Sequence, residues 1–523
     1  MNASALAAAQ RAGFADAIAV LAISANQLDE HGNVTARASA NNANHGRSAS
    51  ASADLFITVA PGVGNSGTLL AGNASVAGAV SALALAINGG TSKDADVKAN
   101  LQVTGQGIHI GGDVVVTANG QTLHVTHNQS STPHATATAN LFGGLSDIDI
   151  GGQLRVTAVS SSQNRDSAIA VAKTLIADQG GNVQINGPLT VLANAVTDAT
   201  HFFANRNGLG PPHGALASAE LIITDGSGDI LLGNVLVQAN GIDHGNIQAD
   251  AIANALVTAN GNIIGHSFEV VALADQTNAL GGFPANGSAL AGLSLHALHG
   301  DVSGDAVAVE ASALDHGLGA GLASGKLFVA ASNAPGKSNI ALGNVTVKGS
   351  ASNWGGGPGL APVSVTMNTS GNIHAGNVDV EALANDHGPG VASAHALSNI
   401  MAGQALTLGS VTGKGVAVNV GGGAANAAAD LTFDPRTVVI GGNVLLSAVA
   451  DNHSGANAAA HASLDAANIN TVQVTGAPTI IAHGTNSGAG PVTAQAMRDS
   501  PMRHHAQPAA GRHRRRGAEQ GQP

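Results

Sequence analysis

The sequence predicts an all-β fold, a parallel β-solenoid of about 12-13 coils built as one continuous repeat domain. Two observations predict this fold. Glycines that open a similar segment recur every 32 to 46 residues, a spacing typical of repeat architectures. After each of these glycines, apolar residues occupy every second position, as in a strand that buries one face. The thirteen glycines are Gly32, Gly72, Gly112, Gly152, Gly187, Gly233, Gly265, Gly304, Gly343, Gly376, Gly409, Gly442 and Gly476.

Each repeat begins with a segment that we call strand a. Its clearest copies read Gly-Asn-Val-Asp-Val-Glu-Ala from Gly376 and Gly-Asp-Val-Val-Val-Thr-Ala from Gly112. β-branched residues along one face favour a strand. A turn that often contains His-Gly follows, as at His316 and Gly317, because glycine adopts the positive φ that tight turns require.

Two further segments complete the repeat. Strand b carries alanine at every other position and ends in leucine or isoleucine, as from Ala49 to Ile57. Strand c is a short segment flanked by glycine, as from Ile108 to Ile110. Strands a, b and c would form one coil, and successive coils would stack about 4.8 Å apart.

The inward residues are smallest on both sides of the turn between strands a and b, which predicts a wedge-shaped core. The alternative is a row of antiparallel hairpins in which strand a pairs with strand b. Hairpin loops usually have two to five residues, whereas the connection here is variable and is longest between His201 and Gly214. Variable loops on one edge favour the solenoid.

The repeat pattern divides the chain into three expected segments. Residues 1–31 are expected to form an incomplete N-terminal coil or cap, because Ala15 to Ile23 repeats the order of Ala49 to Ile57. Residues 32–497 are the β-solenoid repeat domain. Residues 498–523 are expected to be a disordered basic tail, since they offer little apolar surface to offset the entropy of ordering. The alternative for the tail is an anionic-surface or nucleic-acid patch at residues 512–516.

Composition narrows the class of protein. The chain has no cysteine, which excludes a disulfide framework and thiolate metal sites. The net charge of −12 is spread thinly, so the repeats show no nucleic-acid footprint and we expect no nucleic-acid partner. No apolar run reaches the length of a membrane-spanning segment, and the first 27 residues lack the basic start and cleavage site of a signal peptide.

The tandem Gly-Asn-Val-x-Val-x-Ala units, the Ala-x-Ala-x-Ala strands and the Gly-Asn-Ile turns together resemble a known group of repeats. They are similar to the repeat regions of large bacterial exported adhesins of the filamentous-haemagglutinin-like and β-strand-repeat type. The resemblance covers nearly the whole chain. It implies a secreted or cell-surface β-solenoid fibre that acts in adhesion or biofilm formation. Members of that group begin with an export signal and a secretion domain, and neither is visible in this chain.

We therefore expect a structural, adhesive role without catalysis, at an extracellular or cell-surface location. The expected partners are a host or abiotic surface, a glycan or matrix, or further copies of the chain. The expected contact surface is the variable loop edge, at residues 198–214, 276–288 and 352–362, because loops tolerate variation that stacked strands do not.

Histidines near the turns raise the alternative of a metal site. The chain has 22 histidines, and imidazole with carboxylate is a donor set that zinc or nickel accepts. The loops differ in length, however, and histidine with aspartate or asparagine is ordinary in turns, so we assign no metal ligand and expect no cofactor. The residues concerned are His45, His244, His316, His387 and His453, with Asp243, Asp315 and Asp386.

The competing class is a β-helix enzyme that degrades polysaccharides, a glycosidase or a lyase. Such an enzyme needs paired carboxylates at a defined separation and usually aromatic platforms for sugar rings, yet the chain has one Trp, Trp354, and no Tyr. The acidic pair to test first is Asp301 and Asp305. We assign no catalytic residue, because the acids recur at outward strand positions or in turns, namely Asp229, Asp305, Asp379 and Glu381.

A third class, the ice-binding solenoid, requires flat ranks of threonine. Thr136 and Thr138 fit such a rank in one repeat. Other residue types occupy the matching places elsewhere, so the sequence does not favour this class.

Overall fold

The computed structural model describes residues 1–9, 13–42, 48–63, 69–70, 72–89, 95–123, 132–163, 167–198, 214–244, 248–277, 286–332, 338–466 and 469–499. Every regular element in these residues is a β-strand, and we number the strands β1 to β39 in chain order. Within the described ranges there is no helix long and apolar enough to cross a membrane.

The strands follow the predicted order a, b, c in each coil. Four strands run through from the strand-c segment into strand a, namely β20 (Ile230–Asp243), β22 (Ile263–Gln276), β24 (Val302–Asp315) and β26 (Ile340–Asn353). The other a strands are β1 (Asn2–Ala9), β4 (Val34–Asn42), β9 (Val80–Asn88), β12 (Val114–Thr122), β15 (Leu154–Gln163), β18 (Leu189–Asp198), β29 (Val378–Asp386), β32 (Val411–Asn419), β35 (Val444–Asn452) and β38 (Pro478–Asn486).

The b strands form a second sheet and the remaining c strands extend the first. The b strands are β2 (Phe14–Ala25), β5 (Ser48–Val59), β10 (Ala95–Gly105), β13 (His134–Gly143), β16 (Ala168–Asp178), β19 (Ala215–Asp225), β21 (Gln248–Ala259), β23 (Asn286–Ala297), β25 (Gly321–Ala331), β27 (Gly359–Thr369), β30 (Ala392–Ala402), β33 (Ala425–Phe433), β36 (Ala458–Ala466) and β39 (Val492–Asp499). The c strands are β3 (Leu28–Glu30), β8 (Ala74–Val76), β11 (Ile108–Ile110), β14 (Ile148–Ile150), β17 (Val183–Ile185), β28 (Ile373–Ala375), β31 (Ala405–Leu408), β34 (Thr437–Ile440) and β37 (Thr471–Val474).

Parallel pairing between equivalent strands of successive coils confirms the β-solenoid. Strands a and c form one 23-stranded sheet and strands b form a 14-stranded sheet, which gives about thirteen turns. Strand a does not pair with strand b in the described residues. The antiparallel pairing found there is limited to the short strands β6 (Gly62–Val63) and β7 (Leu69–Leu70), so the hairpin alternative is wrong.

The core consists of side-chain ladders that run along the solenoid axis. The first inward position of strand a is a continuous ladder, in which Val345 pairs with Val378 and Val378 pairs with Val411. Further along strand a the inward residues shrink to alanine, and the inward residues of strand b are alanine beside the turn and larger away from it. Two alanine-lined strands can approach closely, so the core is thinnest beside the turn.

The observed register shows that three of the thirteen recurring glycines do not occupy the predicted position at the start of strand a. Gly72 precedes β8, a c strand, and the glycine two residues before the next a strand is Gly78. Gly265 and Gly304 lie one position early, because Gly304 pairs with Leu342. Gly72 was misassigned because Gly-Asn precedes both strand c and strand a, so the motif alone does not tell the two corners apart. Gly265 and Gly304 lie within β22 and β24, where strand c continues into strand a without a break.

Residues 2–30 stack on the following coil. β1 pairs with β4, β2 with β5 and β3 with β8, all in parallel. In β2, Ala15 is opposite Ala49 and Ile23 is opposite Ile57. At the other end β39 extends to Asp499, so the proposed tail at 498–523 lies almost entirely outside the described residues.

Candidate functional site: the turn edge

The residues that directly follow strand a in successive coils define a surface that we call the turn edge. Their register continues that of strand a, because the backbone N–H of each donates to a carbonyl of the coil before it. Trp354 donates to Asp315 at 2.8 Å, and His387 donates to Asn353 at 2.8 Å. From β20 onward the turn edge consists of His244, Thr277, His316, Trp354, His387, Val420, His453 and Ser487. In the coil before β20 the equivalent position is Asp198, the last residue of β18.

Histidine occupies alternate coils of the turn edge, and we call these four residues the histidine row: His244, His316, His387 and His453. All four were singled out from the sequence. The fifth, His45, lies outside the described residues. Because coils stack about 4.8 Å apart, neighbouring histidines of the row lie about 10 Å apart along the axis.

The single tryptophan lies between two histidines of the row. The ring of Trp354 stacks on that of His387 with 3.8 Å between centroids and 7° between planes, and on that of His316 with 5.8 Å and 14°. Rings of the neighbouring coils therefore cover both faces of the indole. Trp354 is 52% exposed, but a stacked ring on each face leaves it no open platform for a sugar.

A ladder of buried polar residues supports the turn edge at the last inward position of strand a. Asn419 shows how it works: its amide Nδ2 donates to the carbonyl of Gly390 at 2.7 Å and to that of Ala424 at 3.4 Å. Asn353 and Asn452 make the equivalent pairs of bonds. Each asparagine thus joins its own turn to the turn of the preceding coil.

Aspartate replaces asparagine in this ladder at Asp315 and Asp386. Each carboxylate accepts a 2.7 Å hydrogen bond through Oδ1, from the N–H of Gly317 and of Gly388 respectively. The second oxygen, Oδ2, is buried and has no hydrogen-bond partner among the described residues. Burial raises the pKa of both carboxyl groups to about 6, against the lowering effect of the glycine N–H groups. A protonated carboxyl could donate where asparagine donates its amide.

The spacing of the histidine row bears on the metal-site alternative. Two nitrogen ligands of one zinc ion lie within about 4 Å of each other, whereas the imidazoles of the row come from coils about 10 Å apart. The row therefore does not converge on one ion. The described ranges contain no group of three histidine, aspartate or glutamate side chains placed to hold a metal ion.

Two of the acids considered for catalysis, Asp229 and Asp301, belong to a second ladder, at the corner before strand c. Asp229 accepts from the backbone N–H of Asn262 at 2.6 Å, and Asp301 accepts from that of Asn339 at 2.6 Å. Aspartate and asparagine alternate along this corner ladder from Asp147 to Asn339, and Asn372 follows as a second asparagine. Its members are Asp147, Asn182, Asp229, Asn262, Asp301, Asn339 and Asn372.

The remaining acids lie on outer surfaces. Asp305 lies 3.1 Å from the Nδ1 atom of His266, and both side chains are largely exposed. Glu381 forms an ion pair of 2.6 Å with Lys414. Asp379 lies two residues before Glu381 on the same strand, and burial raises its pKa. The structure thus places Asp301 in a ladder and Asp305 in an exposed pair with a histidine.

The predicted contact loops are described in part. Residues 199–213 and 278–285 lie outside the described residues. Residues 352–362 contain Trp354 and a run of three glycines at 355–357. A Cβ atom at Gly355 would lie 1.3 Å from the carbonyl oxygen of Gly317, and one at Gly357 would lie 1.9 Å from that of Gly319. Only glycine allows these turns to stack so closely.

Two features on the outer face of the b sheet were not predicted. Near the C-terminal end, Asp430 accepts from Ser463 and lies 2.9 Å from His395 and 3.5 Å from His461. In the middle, Gly292 leaves a shallow hollow of about 420 Å³ between Leu256 and Phe328. The register that brings these residues together depends on loop lengths, and spacing in the sequence does not reveal it.

The threonine rank required for ice binding is interrupted at its centre. Thr136 lies between Lys98 and Val171 on the neighbouring b strands, and Thr138 lies beside Lys173.

Fold and site together define the class of this molecule: it is a tandem-repeat β-solenoid with a regular turn edge. Comparison with protein-family models, with curated proteins and with solved structures found no match.

Proposed function

We propose that the protein is a structural scaffold for multivalent attachment, of the kind found in exported adhesins. The observation that carries this proposal is the regularity of the turn edge, which presents equivalent positions at every coil. A surface of this kind suits many weak contacts, because contacts that are tethered together gain from effective concentration. The repeat style that resembles bacterial exported adhesins supports the same function and a secreted or cell-surface location.

The positions of the acids favour attachment over polysaccharide cleavage. Asp229 and Asp301 hold successive coils together through backbone hydrogen bonds. Asp305 and Glu381 pair with a histidine and a lysine on outer faces. A glycosidase needs two carboxyl groups that face each other across a substrate, and these acids have other partners.

The test uses the full chain on surfaces of graded density. Beads would carry a neutral dextran or an acidic polygalacturonate at several densities, with glass and polystyrene as abiotic surfaces. We expect retention of the protein on at least one of these surfaces to rise more steeply than linearly. The variable is ligand density on the beads and surface area on glass or polystyrene. The reason is that several coils of one molecule bind the surface at once. Self-association would be followed by sedimentation in the same buffers.

Two outcomes would contradict the proposal. The first is absence of retention on every surface together with a purely monomeric chain in solution. The second is release of reducing ends or unsaturated sugars from a polysaccharide that is abolished by Asp301→Asn or Asp305→Asn. The second outcome would establish the enzyme alternative.

A further inference from the structure

The histidine row places side chains whose charge changes with pH at regular intervals along one edge of the solenoid. Histidine is the side chain whose charge ordinarily changes between about pH 5 and pH 8. The chain has a formal net charge of −12 with its 22 histidines neutral, and protonation of all of them would change this to +10. Four of these histidines lie in the row, so part of the gain in positive charge falls along one line. The line is about 29 Å long from His244 to His453, which are six coils apart.

The two inner histidines differ from the two outer ones in their acidic neighbours. His244 has Asp198 at 3.8 Å, and His453 has Asp451 at 3.2 Å. Beside His316 and His387, by contrast, lie the ladder carboxyl groups that lack a partner for Oδ2. The remaining acids near the row are Asp243, which directly precedes His244, and Asp275, which interacts with His244 and His316.

The inner pair is arranged to accept a proton and to expose the resulting charge. Nδ1 of His316 lies 3.0 Å from the carbonyl oxygen of Gln276, so Nδ1 carries the hydrogen and Nε2 takes up the second proton. The Trp354 ring lies between the two imidazoles, and a cation over an indole face is stabilised. Burial raises the pKa of Asp315 and Asp386 to about 6, so acidification through that range removes the negative charge beside His316 and His387.

The turns of alternate coils leave room beside the inner pair. The coils of Trp354 and Val420 continue into runs of three glycines, 355–357 and 421–423, which add no side chain to the edge. The middle glycine of the second run, Gly422, has no atom nearer than 3.7 Å to an added Cβ. On the side of His387 away from Trp354, the next coil presents Val420 and three glycines, and a chain of sugar rings can approach the backbone there.

We propose that the histidine row is a contact surface for an acidic polysaccharide, formed at mildly acidic pH and lost at neutral pH. A linear polymer with a carboxylate on successive sugars matches a straight row of cations that recurs every second coil. This inference rests on the proposed attachment function and names the partner and the condition of contact.

The experiment measures retention of the full chain on polygalacturonate beads at about pH 5 and about pH 7.5. Fully methyl-esterified polygalacturonate is the comparison surface, because it has the same backbone without the charge. We expect retention to be about tenfold higher at the lower pH on the acidic beads only, and to fall with added salt.

Two variants test the row itself. His316→Gln with His387→Gln should remove most of the gain at low pH. Gly422→Glu should remove it too, because it places a carboxylate beside the row while keeping every histidine. The matched control is His296→Gln with His374→Gln, which removes two histidines from other faces and should retain the gain. Thermal melts would confirm that each variant is folded.

The outcomes separate this inference from the proposed function. Equal loss in the row variant and in the control would mean that net charge alone drives retention, and the inference would be wrong. Equal retention on poly-glutamate or on anionic lipid vesicles would overturn the assignment to a polysaccharide. Retention on neutral or abiotic surfaces without any gain on acidic beads would refute the histidine row and leave the attachment function standing.

Discussion

Alanine at the inward positions beside the turn sets how closely strands a and b approach. Ala394 in β30 is 1% exposed and lies in a ladder with Ala361 and Ala427. The same side chain on the outer face of the strand would have no such constraint. Residue size at the thin end of the core is therefore a direct consequence of the alternation read from the sequence.

The first prediction concerns this size limit. Ala394→Leu should lower the free energy of unfolding by about 1 to 3 kcal/mol, because extra methylene groups overpack a closed core. The outward neighbour Ser393 provides the control, and Ser393→Leu should change stability by less than about 0.5 kcal/mol. Urea unfolding of the full chain measures both. Equal sensitivity at the two positions would contradict the wedge-shaped core.

At the scale of the element, the polar ladders decide how one coil is joined to the next. Asparagine suits these positions because it both donates and accepts. Asn353 donates through Nδ2 to the carbonyl of Gly319 and accepts through Oδ1 from the N–H of Gly355. Asp386 matches only the accepting half of this arrangement, since a carboxylate cannot donate. The aspartates of the turn-edge ladder are therefore weak points at neutral pH.

The second prediction follows from the raised pKa of Asp386. The folded-state pKa is about 6 and the ordinary value is 3.8, so the folded chain holds the proton more tightly than the unfolded chain. Stability is then highest below about pH 4 for this group and falls as pH rises through about 6. The cost at pH 7.5 is at most about 3 kcal/mol.

Asp386→Asn removes this cost, because the new amide can donate to the carbonyl of Gly357 as Asn419 does to that of Gly390. We expect the variant to be more stable than the parent at about pH 7.5 and nearly equal to it at about pH 3.5. Thermal melts across this range measure the difference. A parent that becomes more stable from pH 5 to 7.5 relative to the variant would refute the sign.

The third prediction concerns the corner ladder. Asn262→Asp would place three carboxylates in consecutive coils at Asp229, 262 and Asp301, and it would remove the 3.1 Å bond from Nδ2 of Asn262 to Asp229. We expect a loss of about 1 to 3 kcal/mol at neutral pH, since like charges and an unpaired acceptor both destabilise. Chemical unfolding at low and high salt measures it.

Asn372→Asp is the matched control for that ladder. Its neighbour in the preceding coil is Asn339, which carries no charge. The cost should therefore be smaller than at Asn262 and should depend less on salt. A larger cost at Asn372 would show that charge alternation does not matter.

The three strands of each coil and their inward faces were predictable from the sequence because a period of two fixes which side chains are buried. The corners before strand c and before strand a were less predictable from the sequence. Gly72 was assigned to strand a although it precedes β8, since both corners use Gly-Asn. The turn histidines were noted, but their regular alternation and the stack on Trp354 emerge only once the register is known. The pair of His395 and His461 around Asp430 was missed for the same reason.

At the scale of the whole molecule, each coil contacts its neighbours through parallel pairing on both sheets. Stability in such a scaffold is approximately a sum over coils and the interfaces between them. The turn edge, the polar ladders and the apolar core all depend on one register, in which each residue lies opposite its equivalent one coil away.

Engineered disulfides test the register most directly, because the chain has no cysteine of its own. Ser350 in β26 is opposite Leu383 in β29, and neighbouring strands place paired Cα atoms within the range of about 4.4 to 6.8 Å that a disulfide requires. Ser350→Cys with Leu383→Cys should cross-link readily under mild oxidation. Ser350→Cys with Asn385→Cys, displaced by two residues, should not. Efficient cross-linking of the displaced pair, with failure of the opposite pair, would contradict the stacked parallel coils.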